Sequence, residues 1–336
     1  MSALPPAMTL HARLEDWPMV RPFRITGQTF TMSRVVVAEL SFQGHTGLGE
    51  ACGVGYRDDT PERILTQLQG VAGLLQDEVT HADLLQILPA GGARNALDAA
   101  LWDLNAKRNR KPAWSSAGLS SPNPLLTTFT VGADTPAEMA VRAWAYKGAK
   151  AIKLKLTGDG SDGARVEAVR AALPDVWLGV DANQGFTPDG LSALWPTLQA
   201  MDVKMVEQPF PIGRDAWMDG VERAIPVIAD ESLQTAADLP ALVGRYDGIN
   251  IKLDKCGGLT HGLEIARQAR AMGLTVMVGN MTGTSWSQAP AFLLGQVCDL
   301  VDLDGPLFLK DDRAPGVTYR DGFVDCAETV WGGPGV

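Results

Sequence analysis

Between residues 125 and 305 the chain carries eight short apolar runs: LLTTFTV, AIKLKL, VWLGVDAN, VKMVEQPF, IPVIADE, GINIKLD, LTVMVGN and CDLVDLDG. Stretches with helical spacing separate them. Such alternation is the mark of parallel βαβ units, because parallel strands need a crossover of a dozen or more residues. The polar residues that end these runs recur at steady separations. Lys155 to Asp181 and Asp181 to Glu207 are 26 residues each, Glu207 to Asp230 is 23 and Asp230 to Lys252 is 22. A strand, a helix and two short loops take about that length. Eight even units close naturally into a (β/α)8 barrel, whose active site lies at the C-terminal ends of its strands. A doubly wound open sheet is the competing architecture. No G-x-G-x-x-G follows the first strand of either region and there is no P-loop, so nucleotide-binding folds lose their strongest clue.

The residues ahead of the barrel read differently. Arg34 to Leu40 (RVVVAEL) is strand-like, and the Gly-rich GHTGLGEA reads as a hairpin turn leading into another strand. Thr60, Pro61 and Glu62 supply an N-cap, a proline at the first helical position and an early acid for the helix PERILTQLQGVAGLLQ. In ARNALDAALWDLNAKRN a stripe of Ala96, Leu97, Ala100, Leu101 and Leu104 predicts an amphipathic helix. The Pro/Ser-rich SSAGLSSPNP closes this α+β module, so a chain of 336 residues is expected to hold two domains.

A net charge of -10 without any lysine or arginine run argues against nucleic acid or an anionic membrane as partner. Small molecules are the expected partners. The N-terminal MSALPPAMTL lacks the pattern of a secretory leader and no apolar run approaches the length of a bilayer span, so the expected location is the cytoplasm. Cys52, Cys256, Cys298 and Cys326 are scattered, and His11, His45, His81 and His261 show no ligand spacing. Any metal must therefore rely on oxygen.

The last polar residues of the eight runs are Thr130, Lys153/Lys155, Asp181/Asn183, Glu207, Asp230/Glu231, Lys252, Asn280 and Asp302/Asp304. A barrel brings all of them to one mouth. Singly, an acid at a strand end is more often a cap for the next helix. Three acids on consecutive strands, Asp181, Glu207 and Asp230, suit a hard cation such as Mg²⁺. Lys155 precedes this triad and Lys252 follows it, so the two approach a metal-bound substrate from opposite sides. Proton transfer at a carbon acid is the chemistry this suggests. Mg²⁺ and Lys153 would hold the negative charge that develops when a proton leaves the carbon beside a carboxylate. A free lysine has a pKa of about 10.4, and neighbouring cations with partial burial lower it toward the range of a general base. An isolated K-x-K would be read as two lysines snorkelling to solvent; Lys252 reverses that preference.

With K-x-K at Lys153 and Lys155, "VDAN" (Asp181), "VEQP" (Glu207), "ADES" (Asp230) and "NIKLDKCGG" (Lys252), the chain resembles the enolase superfamily, in its muconate-lactonising-enzyme subgroup. The resemblance covers nearly the whole chain, including "LPAGGARNALDAALWDL". It implies a modified (β/α)7β barrel, spanning 123–305, and an α+β capping domain, spanning 1–122 and completed by 306–336. It also implies Mg²⁺ on Asp181, Glu207 and Asp230, with Lys155 and Lys252 as acid and base.

"VDLDGP" resembles the D-x-D motif of the dipeptide epimerases, in which two acids hold a free α-ammonium. Asp302 and Asp304, at i and i+2, share one face and offer it negative charge. The resemblance thus implies epimerisation of a dipeptide of the L-Ala-D/L-Glu type, with assembly into a homo-oligomer left open. In one respect the chain departs from the pattern. Phe30 stands where members selective for Ala-Glu carry an arginine, and Arg24 and Arg57 are the substitutes in reach. The loops 25–31 and 53–59 are expected to contact the second side chain, with Thr130, Asn280 and Met281 as further contacts. N-acylamino-acid racemisation, o-succinylbenzoate synthesis and muconate cycloisomerisation are alternatives within the subgroup, and a catalytically silent metabolite-binding barrel is one outside it.

Overall fold

The leading residues build an antiparallel sheet of three strands, β1 (Thr9–Ile25), β2 (Gln28–Phe42) and β3 (His45–Ala51). The structure, a computed structural model, describes residues 7–75 and 78–335. The N-terminal MSALPP and Gln76, the last residue of the first expected helix, lie outside the described residues. Gln43 and Gly44 join β2 to β3 with φ of 50° and 81°, a two-residue turn whose twist matches that of the flanking strands. β1 has no counterpart in the sequence reading. It is an edge strand with most side chains exposed or half-buried, so it needs no clean alternation.

Three helices follow: α1 (Pro61–Val71), capped by Thr60, whose hydroxyl accepts the Arg63 N–H; α2 (His81–Ile87); and α3 (Gly92–Asn109). α3 explains the remaining glycines of GHTGLGEA. A Cβ on Gly47 would lie 2.0 Å from the Ala100 carbonyl, and one on Gly49 would lie 2.0 Å from that of Ala96, so only glycine lets β3 approach the helix this closely. The expected single apolar stripe is incomplete: residues 92 to 101 are all buried. The opposite face, Arg94, Asp98 and Trp102 at successive i+4 positions, bonds to the barrel. Arg94 Nη2 donates to the Cys256 carbonyl at 2.7 Å, the Thr260 hydroxyl donates to Asp98 at 2.6 Å, and Trp102 Nε1 donates to that hydroxyl at 2.9 Å. α3 is thus the spine between the two layers.

The run LLTTFTV divides at Thr127 into β4 (Leu125–Leu126) and β5 (Thr128–Val131). From β5 the parallel sheet continues through β6 (Ala151–Lys155), β7 (Trp177–Asp181), β8 (Val203–Glu207), β9 (Val227–Ala229), β10 (Gly248–Ile251), β11 (Thr275–Gly279) and β12 (Leu300–Asp302), each paired with the next. β12 returns beside β5, and the seam is bridged by side chains. The Leu303 N–H donates to Thr127 Oγ1 at 2.8 Å, and the Thr130 N–H donates to Asp304 Oδ2 at 2.6 Å. β12 leads into a 3-10 turn (Gly305–Phe308) and no further barrel strand, so the barrel ends on a bare strand as a modified (β/α)7β arrangement does; the β8–β9 connection is reduced to another 3-10 turn, Asp215–Met218. β13 (Thr318–Arg320) and β14 (Phe323–Asp325) form a hairpin whose second strand pairs with β4.

Ile152, Leu154 and Leu156 face the helices that wrap the barrel, and Met205, Ile228 and Met277 plug its floor with Trp177 and Leu300. Above this plug the interior turns polar. No described helix is long and apolar enough to cross a membrane.

Candidate active site

Asp181 ends β7, Glu207 ends β8 and Asp230 follows β9; all three are buried, and one carboxylate oxygen from each lies within 4.8 Å of the others. The chain around them is built to hold them. After Asp181 it turns through left-handed Asn183 and Gln184 (φ 42° and 69°), and the Asn183 N–H returns to Asp181 Oδ1 at 2.8 Å. Gln208 braces the next two strand ends, its Oε1 accepting the N–H of Asp230 at 2.9 Å and of Ser232 at 3.1 Å. Asn250 donates to Glu207 Oε1 at 2.7 Å from β10, two strands away.

Four ammonium groups meet these acids. Lys155 Nζ lies 2.5 Å from Asp181 Oδ2, and Lys252 Nζ lies 2.6 Å from Asp230 Oδ2. Lys255 Nζ takes the other oxygen, Asp230 Oδ1, at 2.5 Å, and also donates to the Asn250 carbonyl at 3.1 Å. Lys153 lies deeper, 3.0 Å from Glu207 Oε2 and paired with Asp302. The two lysines of K-x-K therefore share a face but not a depth.

Electrostatics follow from burial and pairing. Burial and the charge of Asp181 push the Glu207 carboxyl up to about 7; burial, with Asp230 and Asp181 beside it, pushes Glu231 up to about 8. For Asp230 burial acts upward, but Lys252 and Lys255 outweigh it and hold the carboxyl well below its ordinary value. Burial acts downward on Lys153 and Lys252, yet the acids around each prevail and raise both ammonium groups above the ordinary lysine value.

A cavity of about 340 Å³ opens over this cluster. Lys155, Lys252, Asp230, Glu231 and Asn183 line its barrel side, and the tip of the β1–β2 hairpin lines the opposite side. Buried Glu231 Oε2 and Asn183 Oδ1 have no hydrogen-bond partner among the described residues. Three converging carboxylates with unpartnered oxygens beside them fit a hard, oxygen-seeking cation. No histidine or cysteine enters the set.

Of the residues expected at the substrate, Phe30, Asn280 and Met281 line this cavity. Thr130, Asp302 and Asp304 do not. They lie in the seam wall, where Asp302 binds Lys153 and Thr128, and Asp304 accepts the Thr130 N–H. Burial, with Asp302 alongside, pushes Asp304 up to about 7. Arg24 points elsewhere, 3.3 Å from Asp134, and both it and Arg57 line separate cavities. The segment 25–31 is a hairpin end rather than an open loop, because β1 runs to Ile25 and β2 starts at Gln28. Sequence reasoning missed Lys255, Asn250 and Thr128. For Lys255 a signal existed in NIKLDK, where it stands one helical turn after Lys252.

Residues 7–118 match the N-terminal domain of the mandelate racemase / muconate lactonizing enzyme family, and residues 136–336 match the enolase C-terminal domain-like family. The chain belongs to the enolase superfamily. Within it, the L-Ala-D/L-Glu epimerase of Escherichia coli K12 is 40% identical over 311 residues, 92% of this chain and 96% of that protein. An N-acetyl-D-glutamate racemase from a Pseudoalteromonas species is 41% identical over 282 residues, 81% of this chain and 88% of that protein. Among solved structures, an enolase-superfamily protein from Agrobacterium tumefaciens, described as homologous to dipeptide epimerases and holding sodium and L-Ala-L-Glu, superposes with a TM-score of 0.94. It is 36% identical, and the match covers 97% of this chain and 100% of that one.

Proposed function

We propose that this enolase-superfamily chain is a Mg²⁺-dependent dipeptide epimerase that inverts the α-carbon of the C-terminal residue by proton transfer between Lys155 and Lys252. The observation that carries the reading is their placement. They end strands on either side of the acid triad, Lys155 against Asp181 and Lys252 against Asp230, and both line one cavity. An α-carbon held over the triad presents one face to each. The relatives named as dipeptide epimerases support the choice of substrate.

Asp181, Glu207 and Asp230 would hold Mg²⁺, which when bound would supply the positive charge that makes the α-proton of a carboxylate acidic enough to remove. The acids that most raise Lys252, Asp230 and Glu207, are among those assigned to the cation, so with their charge offset one lysine would enter neutral and take the α-proton, and the other would enter as ammonium and deliver a proton to the opposite face. The proton count of the pair is unchanged and the two roles are exchanged, so the reverse turnover runs in the same site. Lys255 and Asn250 keep Asp230 and Glu207 oriented throughout. The barrel, 123–305, carries the chemistry, while the capping domain, 1–122 with 306–336, covers the cavity through its β1–β2 hairpin and the segment Cys52 to Pro61. Asp302 and Asp304 lie in the seam wall outside the cavity lining, behind Asn280, which lines the cavity and donates its amide to the Asp302 carbonyl.

The test is α-proton exchange followed by NMR in deuterated water. L-Ala-L-Xaa dipeptides are expected to exchange and epimerise, and Lys155→Met or Lys252→Met to lower kcat by about 10²–10⁴-fold, the usual contribution of a positioned acid or base. Turnover of N-acetylamino acids with no exchange in any dipeptide would sink the reading.

A further inference from the structure

The β1–β2 hairpin that roofs the cavity is a two-stranded ribbon with two unlike faces. Phe23 pairs with Phe30 and Ile25 with Gln28, and side chains two apart on a strand share a face. Phe23, Ile25, Gln28, Phe30 and Met32 accordingly all line the cavity. Arg24 and its cross-strand partner Thr29 take the alternate face and line a different cavity, where the Arg24 guanidinium lies 3.3 Å from Asp134. A rotamer change does not bring Arg24 round, since β-alternation sets the direction of its Cβ.

The remaining cations on the cavity are engaged. Lys155 and Lys252 are paired with Asp181 and Asp230. Arg34 is held by both oxygens of Asp16, at 2.6 and 2.9 Å, and by Glu62 at 2.8 Å. Two carboxylates around one guanidinium leave a net negative group, which offers nothing to a further anion.

An α-carbon over the triad has four substituents. Its carboxylate would face the three acids and the cation they would hold, its proton faces a lysine, and its nitrogen runs toward the Asn280 side of the cavity, next to the seam wall. The fourth, the side chain, is left pointing at the hairpin roof. There it meets Phe30, Ile25, Phe23 and Met32, with Met281 beside them. A carboxylate placed against these groups loses its water and gains no cation, Gln28 being the one polar side chain of the hairpin face beside them, whereas an aliphatic or aromatic side chain gains burial.

We propose that this site selects substrates whose C-terminal side chain is uncharged and apolar, of about leucine, methionine or phenylalanine size, and that Phe30 is the selecting residue. The proposal rests on the epimerase reading for the identity of the substrate's other end.

The experiment compares kcat/KM for α-proton exchange in L-Ala-L-Leu, L-Ala-L-Met, L-Ala-L-Phe and L-Ala-L-Glu, with N-acetyl-L-leucine and N-acetyl-L-glutamate alongside. At least one apolar dipeptide is expected to exceed Ala-Glu tenfold or more. Phe30→Arg should move the Glu-to-Leu ratio at least tenfold toward Glu, while Thr29→Arg, on the other face, should leave it unchanged. Equal or faster turnover of Ala-Glu by the wild-type protein overturns the selectivity and leaves the epimerase reading standing. If only the N-acetylamino acids react, the epimerase reading falls, and N-acetyl-leucine against N-acetyl-glutamate then decides the roof in the same way. A folded Phe30→Arg protein with an unchanged ratio removes Phe30 as the selecting residue; should that variant not fold, the wild-type comparison still decides.

Discussion

Asp254 shows how one carboxyl outside the triad can govern the cavity. Its Oδ1 accepts the N–H of Cys52 at 2.8 Å and of Gly53 at 2.7 Å, so it fixes the start of the second loop over the site from the helix just after Lys252. Burial pushes this carboxyl up to about 7, with the two hydrogen bonds opposing. A group whose folded pKa lies above its unfolded value binds more protons when folded. Its contribution is therefore fully present below the unfolded pKa, near 3.8, and is lost as pH rises through about 7. Asp254→Asn keeps an oxygen for both N–H groups and removes the charge. Urea unfolding in a chelator should show the variant gaining on the wild type between pH 4 and pH 8, by roughly 4 kcal/mol at most at 1.36 kcal/mol per unit. Stability curves that stay parallel over that range would exclude the role.

At the scale of elements the weak point of the barrel is the seam between β5 and β12, where side chains bridge the strands. Thr127→Val removes the Oγ1 that accepts the Leu303 N–H at 2.8 Å and leaves a buried donor unmade. The expected cost is about 1–3 kcal/mol in urea unfolding, with Thr127→Ser close to wild type; equal midpoints for Val and Ser would show that the bond carries nothing. The strands flanking this seam were legible in the sequence because short apolar runs and even spacing are local properties. So were the strand-end acids and lysines, which a parallel barrel must gather at one end. Other features depend on what lies far away in the chain. α3 reads as amphipathic because its second face is polar, yet Arg94, Asp98 and Trp102 are spent on the barrel. Lys255 gains its meaning from Asp230, 25 residues earlier. Arg24 looks like a substrate contact until the hairpin register assigns it to the outer face.

For the whole molecule, the question is what keeps the hairpin-bearing sheet seated on the barrel, since the cavity exists only between them. Arg313, in the C-terminal segment, lies between the rings of Trp17 and Trp286, its Cζ 4.6 and 3.9 Å from their centroids. It pairs with Glu15 at 2.6 Å and Glu50 at 2.8 Å. Glu50 in turn accepts the Thr284 N–H at 2.7 Å, and Arg313 Nε donates to the Thr284 hydroxyl at 3.0 Å. One guanidinium thus joins β1, β3 and the loop after β11, whose Asn280, Met281 and Thr282 line the cavity. Arg313→Met leaves Glu50 as a fully buried acid without its cation, and removing one partner of a buried pair costs about 3–5 kcal/mol. Adding Glu50→Gln should return part of that loss, because the stranded charge goes with it; a double-mutant cycle reads the coupling directly. Arg313→Lys keeps the charge but not the planar stack or the fork, so it should fall between. If the clamp also seats the loop, Arg313→Lys should raise KM for the preferred dipeptide more than it lowers kcat, since neither lysine of the proton relay touches it. A kcat loss with KM unchanged would place the effect of Arg313 on the proton-transfer step instead.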